Sequence, residues 1–89
     1  MNVIVYLTRD ENINYYNTDE VILDIEDYLR GVVGAEIGNS SLEACRAQAV
    51  ASRTFAMRKQ LAQGHITDKS SSDQAFRVSR ATDNYNNAL

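Results

Sequence analysis

The sequence predicts an α+β fold in which short N-terminal antiparallel strands pack beside two helices, the second of them long and central. Three observations predict it. A run of β-forming residues begins at Val3, an apolar face with helical spacing follows Asp24, and an alanine-rich helical segment ends near Gln63. At 89 residues, the chain is long enough for a single small domain, residues 1–89.

The composition excludes several classes of protein. A hydrophobic fraction of 44% with 24% charged residues is ordinary for a globular protein, so we do not expect general disorder. The net charge of -3 and the scattered basic residues argue against a nucleic-acid partner. No apolar run approaches the ~20 residues of a membrane-spanning helix, so we expect no membrane insertion. One cysteine and one histidine are too few for an ordinary zinc site, and we expect no metal and no cofactor.

The N-terminal third is expected to supply the strands. Residues 2–7 are predicted to form a strand, because residues 3–7 are an apolar run of strand length. The polar stretch 8–20 resembles turns, with a short second strand around residues 13–16. Residues 21–23 are a third strand candidate, because they are β-branched or apolar and lead directly into the first helix.

The first helix begins at a recognisable cap. Asp24 is a good N-cap, and Glu26 adds negative charge to the first turn. One helical face then carries Ile25, Tyr28, Leu29, Val32 and Val33. The same face continues to Glu36, before Gly38 and Asn39 break the helix. A glutamate on an apolar face is the most informative feature of the sequence.

The second helix is expected to open with a capping box of Ser40 and Glu43, and to stop at Gly64. Because small or apolar residues occur nearly all round between residues 44 and 57, we expect this helix to be covered on several sides. Beyond it, residues 74–78 could form a strand or a turn, and residues 82–89 are expected to fray or to await a partner.

Glu36 has two interpretations. Burial on the apolar face and the negative end of the helix would both favour a protonated carboxyl, which glycosidic-bond cleavage needs as a general acid. Alternatively, Glu36 simply reaches water or pairs with an arginine. The periodicity alone favours the second interpretation, since most such residues have no catalytic role.

Two polar residues of the second helix also need partners if that helix is covered. Gln48 and Arg53 lie among alanines, and Arg53 is an obvious ion-pair partner for Glu36. The two side chains either hold the carboxylate and contact a polar substrate, or cross-link the helices. Cys45 and His65 are weaker candidates, and Asp68 and Asp73, as second carboxylates, lie in a loop-like region.

Two separated motifs resemble those of the stage II sporulation protein D family, which includes the amidase-enhancer LytB proteins. The first is the Tyr-x-x-Gly-Val-Val-x-x-Glu pattern of residues 28–36. The second is the Ala-x-x-Ala-Gln-Ala-x-x-x-Arg-Thr-Tyr-Ala pattern of residues 44–56, in which Phe55 replaces the tyrosine. The motifs occur in the family's order, and their specificity makes the catalytic interpretation of Glu36 the favoured one.

The resemblance implies a lytic transglycosylase that acts on peptidoglycan glycan strands. The family's catalytic glutamate falls on Glu36, and its motif glutamine and arginine fall on Gln48 and Arg53, which would shape the site. Gln74 begins a Gln-Ala-Phe segment similar to the family's Gln-Val-Tyr, and we expect Gln74 to contribute to substrate binding. A glycan substrate would place the protein at the cell wall or outside the cell.

Several features depart from the family pattern. Phe76 lacks the tyrosine hydroxyl, and Ser72 and Asp73 stand where some relatives have a zinc-binding His and Cys. The family domain continues well beyond a segment like residues 85–89, so we expect a truncated or reduced domain, and the start of the chain lacks signal-peptide features. The rival hypothesis is therefore a non-catalytic peptidoglycan-binding or assembly module, for example in a phage-like tail, completed by a partner chain that supplies the missing part of the cleft.

Overall fold

A computed structural model of the chain describes residues 1–38 and 40–80. The predicted fraying of residues 82–89 lies outside this range. The elements follow in the order β1 (Asn2–Tyr6), α1 (Asp10–Tyr16), β2 (Glu20–Asp24), α2 (Ile25–Ile37), α3 (Leu42–Gln63), β3 (Ile66–Thr67) and a 3₁₀ turn (Val78–Arg80). The α+β class, the N-terminal strands and the long central helix are confirmed.

The three strands form one sheet with the order β2-β1-β3. β1 and β2 pair antiparallel, as predicted, with Asn2 opposite Asp24 and Tyr6 opposite Glu20. The third strand does not come from the N-terminal segment. It is β3, which follows α3 and pairs parallel to β1, and this parallel pairing requires the long crossover that α2 and α3 provide.

The prediction of turns and a short strand across residues 8–20 is wrong, because residues 10–16 form α1. The polar residue Asn12 lies on the inner face of this helix and is fully buried. Its Nδ2 donates to Asp68 Oδ2 at 3.0 Å and to the Phe76 carbonyl at 2.8 Å, and its Oδ1 accepts from Val78 N–H at 3.1 Å. A helix anchored by a buried asparagine gives no apolar periodicity, so the sequence pattern missed it.

α2 forms as its cap and its apolar face predict. Asp24 is the N-cap, and its Oδ2 accepts from Glu26 N–H at 3.1 Å. Seven residues of the helix are buried, all between Ile25 and Gly34. The helix ends where Gly38 adopts a positive φ of 61°, a conformation that glycine adopts readily.

α3 begins one residue later than the predicted capping box. The N-cap is Ser41, whose Oγ accepts from Ala44 N–H at 3.2 Å. Ser40 instead donates its hydroxyl to the Ile37 carbonyl at 2.7 Å, which helps to close the end of α2. The predicted stop is confirmed: Gly64 has a φ of 80° and its N–H donates to the Gln60 carbonyl.

α3 is not covered on several sides in the part of the chain that the structure describes. Its buried residues make a single stripe of small side chains, Cys45, Ala49, Ser52 and Ala56, and α2 is its main neighbour. Alanines occur on the exposed faces as well, which is why composition suggested wider burial. Val50 is 62% exposed and Leu61 is 82% exposed. None of the helices in residues 1–38 and 40–80 has the length and apolarity needed to cross a membrane.

Phe76 packs directly over Gly31 in the centre of α2. A Cβ placed on Gly31 would lie 2.5 Å from Phe76 Cε1 and 3.1 Å from the Arg77 carbonyl oxygen. The ring of Phe76 also stacks on Tyr28, with centroids 5.3 Å apart. The glycine therefore allows residues 76–77 to lie against the helix.

We expect Gly31→Ala to lower the free energy of unfolding, by about 1–2 kcal/mol, because the clash exceeds alanine's advantage of ~1 kcal/mol in helix propensity. In a Phe76→Val background the same substitution should cost less, since the clashing ring atoms are gone and the contact with the Arg77 carbonyl oxygen at 3.1 Å remains. Urea denaturation of the four chains measures both effects. Equal destabilisation by Gly31→Ala in both backgrounds would contradict the packing argument.

Asp68 connects the segment after α3 to the start of α1. The residue is fully buried, and its carboxylate accepts from the N–H and hydroxyl of Thr8, from Arg9 N–H and from Asn12 Nδ2, at 2.5–3.0 Å. Burial by itself raises the pKa of this carboxyl, but the hydrogen bonds outweigh burial and hold its pKa below the usual range.

Asp68→Asn should lower the free energy of unfolding at neutral pH by about 2–4 kcal/mol, because an amide nitrogen would face donors that need an acceptor. The pKa is lower in the folded state than the ~3.9 of an unfolded aspartate, so the contribution is complete above that value and is lost as pH falls through the folded pKa.

The measurement is urea denaturation of both chains at pH 7 and at about pH 3. The stability difference should be largest at pH 7 and smaller at the acid pH. Asp19→Asn is the matched control, because Asp19 is exposed and the contact it makes is a hydrogen bond from Leu7 N–H to its backbone carbonyl. A pH-independent difference for Asp68→Asn would show that the charge of the carboxylate is not what stabilises the fold.

Candidate functional site

Glu36 lies in the last turn of α2, beyond the last buried residue of that helix. Its side chain is exposed, so the predicted burial of this carboxyl on the apolar face is wrong. The apolar face ends at Gly34, and Glu36 stands at its solvent edge. Oε1 accepts a hydrogen bond from Ala75 N–H at 3.0 Å. Among residues 1–38 and 40–80, Ala75 is the one hydrogen-bond donor to this carboxyl.

Gln74 is buried between α2 and α3. Its Nε2 donates to the Tyr28 hydroxyl at 3.2 Å and to the Ser52 carbonyl at 3.3 Å. The two helices thus hold Gln74 from both sides. The next residue along the chain is Ala75, which presents its N–H to Glu36, so the position of Gln74 decides where that N–H points.

Gln48 joins the same group from α3. It is half-buried, and its Nε2 donates to the Ser52 hydroxyl at 2.9 Å. Ser52 therefore contacts two of the predicted site residues, Gln48 through its side chain and Gln74 through its backbone. The structure brings Glu36, Gln48 and Gln74 to one seam between α2 and α3.

Arg53 lies elsewhere. Its Nη2 donates to both carboxylate oxygens of Glu26, at 2.8 and 3.0 Å, so the predicted pairing of Arg53 with Glu36 is wrong. Glu26 precedes Glu36 by ten residues of α2, which is about 15 Å along the helix axis. A short connection makes consecutive helices antiparallel, so a residue in the middle of α3 faces the beginning of α2 and not its end.

The carboxylates of Asp68 and Asp73, the two other candidates, are both bound by groups of the protein. Asp68 is enclosed by its donors, and Asp73 accepts from the N–H and hydroxyl of Thr67 and pairs with Lys59 Nζ at 3.2 Å. Burial raises the pKa of Asp73, but Thr67 and Lys59 more than offset it, and the pKa lies below its usual range. Neither carboxylate is presented to solvent as a second catalytic group.

The remaining candidates have structural surroundings. Cys45 is buried, and the ring of His65 stacks on Tyr6 with centroids 4.1 Å apart. In the described ranges, no group of three His, Cys, Asp or Glu side chains could hold a metal ion. A groove of about 360 Å³ lies beside α1, lined in part by Tyr15, Tyr16 and Asp27, but Glu36 does not line it.

Sequence reasoning missed three contributors to the Glu36 environment: the Tyr28 hydroxyl, Ser52 and the Ala75 N–H. The helical spacing places Tyr28 on the apolar face, which is correct for its ring. A signal was nevertheless present, because a buried tyrosine hydroxyl normally needs a hydrogen-bond partner. Nothing local marked Ala75, since its backbone N–H matters only through where residues 74–76 pass α2.

A model of the stage II sporulation protein family, SpoIID, matches residues 10–89. The chain belongs to this family. The resemblance seen in the two motifs is thereby confirmed, and the match includes every residue of the Glu36 environment. Searches of curated proteins and of solved structures found no match. The SpoIID family is linked to sporulation and to the cell wall.

The ion pair between Arg53 and Glu26 is half-exposed, so we expect it to contribute only modestly to stability. A double-mutant cycle of Arg53→Gln and Glu26→Gln should give a coupling energy of about 0.2–1 kcal/mol in urea denaturation. The matched cycle of Arg53→Gln with Glu36→Gln should give none. Coupling in the second cycle alone would place Arg53 beside Glu36, contrary to the geometry.

Proposed function

We propose that this SpoIID chain is a lytic transglycosylase-like domain that cleaves peptidoglycan glycan strands, with Glu36 as general acid and then general base. The observation that supports this function best is the Glu36 carboxyl itself. It is exposed to solvent, and one of its two oxygens is held by the Ala75 N–H. An oriented, accessible carboxyl is what proton transfer to a bound sugar requires.

The hydrogen bond also distinguishes the two carboxyl oxygens. A backbone N–H can only donate, so Oε1 must accept whether or not the carboxyl is protonated. Because the carbonyl oxygen of a carboxylic acid is a better acceptor than its hydroxyl oxygen, the acid form carries its proton on Oε2. Oε2 is the oxygen that would give a proton to the glycosidic oxygen and later receive one.

The proposed reaction needs one carboxyl and no water. Glu36 first donates its proton to the glycosidic oxygen as the bond from that oxygen to C1 of the muramic sugar breaks. The C6 hydroxyl oxygen of the same sugar then bonds to C1, and its proton passes to Glu36, which returns to its starting form. The products are a free hydroxyl on one fragment and a 1,6-anhydro ring on the other. A single-carboxyl reaction is consistent with the buried positions of Asp68 and Asp73.

The neighbouring polar residues are assigned different parts in the proposal. Gln48 is half-buried beside the seam and is the better candidate to contact sugar hydroxyls. Gln74 is buried, and its amide protons are used inside the protein. Arg53 is engaged with Glu26 toward the other end of α2, so any contact with the glycan would be remote from Glu36.

The rival function is a peptidoglycan-binding or assembly module completed by a partner chain. One observation favours it: Val50, Met57 and Leu61 are exposed along α3, at positions that share one helical face. Either function would place the chain at the cell wall, reached by export or by delivery in a phage-like tail.

Glu36→Gln should abolish glycan cleavage while changing stability little, because the amide oxygen can still accept from Ala75 N–H. The wild type and the variant are incubated with intact and peptide-stripped peptidoglycan, and mass spectrometry detects anhydromuramic products. Glu20→Gln is the matched control, since Glu20 is an exposed glutamate at the start of β2.

Anhydromuramic products from the wild type and Glu20→Gln, but not from Glu36→Gln, would support the proposed chemistry. Undiminished cleavage by folded Glu36→Gln would refute the assignment of the acid. A folded wild type that binds glycan without cleaving it would favour the binding module instead.

A further inference from the structure

We infer that Tyr28 is a positioning residue for Glu36, because it holds both neighbours of Ala75 and thereby fixes the N–H that orients the carboxyl. The effect on cleavage rests on the proposed function. The effect on the position of Ala75 does not, and it is measured separately below.

The hydroxyl of Tyr28 holds the residue before Ala75. Tyr28 is fully buried and Gln74 is 8% exposed, and the distance from Gln74 Nε2 to the Tyr28 oxygen is 3.2 Å. The second proton of the same amide nitrogen is directed to the Ser52 carbonyl at 3.3 Å. Both donors of the Gln74 side chain are thus used, and removing either acceptor leaves a buried N–H without its partner.

The ring of Tyr28 holds the residue after Ala75. It stacks on Phe76 with centroids 5.3 Å apart and an interplanar angle of 20°. A phenylalanine at position 28 would keep this stacking. The hydroxyl is therefore the part of Tyr28 that packing alone does not require, and it accepts a hydrogen bond from Gln74.

The hydroxyl stays neutral over the pH range in which the protein would work. Burial raises the pKa of Tyr28 well above its usual value, and the hydrogen bond from Gln74 only partly opposes this. Its role as an acceptor for Gln74 should therefore not depend on pH.

The orientation of the Glu36 side chain depends on the position of residues 74–76, because its other surroundings restrict it little. The side chain is exposed, and a glutamate at a helix end ordinarily samples several rotamers. The hydrogen bond from Ala75 N–H selects among them. If residues 74–76 shift, a smaller fraction of molecules holds Oε2 where a substrate could take its proton, and kcat falls while substrate binding is unchanged.

The test compares Tyr28→Phe with the matched control Tyr15→Phe, whose hydroxyl belongs to a side chain that is 71% exposed. For Tyr28→Phe we expect kcat on peptide-stripped glycan to fall about three- to tenfold, with KM and the shape of the pH profile unchanged. Tyr15→Phe should change neither constant. A merely structural role would alter stability without separating kcat from KM.

The second readout needs no activity. In ¹H–¹⁵N spectra, Glu36→Gln should shift the Ala75 amide, because its acceptor changes. Tyr28→Phe should shift the same amide and speed its hydrogen exchange, while Tyr15→Phe leaves it alone. Gln74→Met, which keeps the side-chain volume but removes both donors, should reproduce the effect if Tyr28→Phe proves too unstable to study.

The outcomes are distinct. An unchanged Ala75 amide and an unchanged kcat in folded Tyr28→Phe or Gln74→Met would overturn the inference. If the wild type does not cleave glycan, the proposed function fails, and the Ala75 amide alone then decides whether Tyr28 positions the segment beside Glu36.

Discussion

Asp68 and Asn12 form a buried polar contact on which the arrangement of the molecule depends. Asp68 accepts from three residues at or just before the start of α1. Asn12 donates to the Phe76 carbonyl and accepts from Val78 N–H. These contacts join positions 56 to 66 residues apart in the chain. They bring the segment that follows α3 back across α2. Because a buried carboxylate without donors would be very costly, this return path is strongly specified.

The position of Glu36 relative to its neighbours follows from that return path. α2 by itself would leave the carboxyl as an exposed side chain at a helix end. Residues 74–76 pass over the helix because Gly31 leaves room for Phe76, and because Tyr28 and Ser52 accept from Gln74. The candidate site is thus assembled from α2, α3 and one irregular segment, and its geometry is set by backbone as much as by side chains.

α3 has a different role, since it supplies a small-residue stripe to α2 and leaves the opposite face to solvent in the part of the chain that the structure describes. Its two distinctive polar residues are separated accordingly. Gln48 lies near the seam with Gln74, whereas Arg53 reaches the first turn of α2 and pairs with Glu26. Gln48 and Arg53 are five residues apart on α3, about 7.5 Å along its axis and about 140° around it, so their side chains meet different partners.

By itself, the sequence determined what local patterns encode. Several features were predictable, because each depends on residues close in the chain. They are the caps at Asp24 and Gly64, the apolar face of α2, the antiparallel N-terminal strands and the two family motifs. The tertiary structure alone decided the helical state of residues 10–16, the parallel pairing of β3, the partner of Arg53 and the Ala75 N–H beside Glu36. These features depend on contacts between distant segments, and the periodicity of the sequence does not indicate which buried polar groups will contact each other.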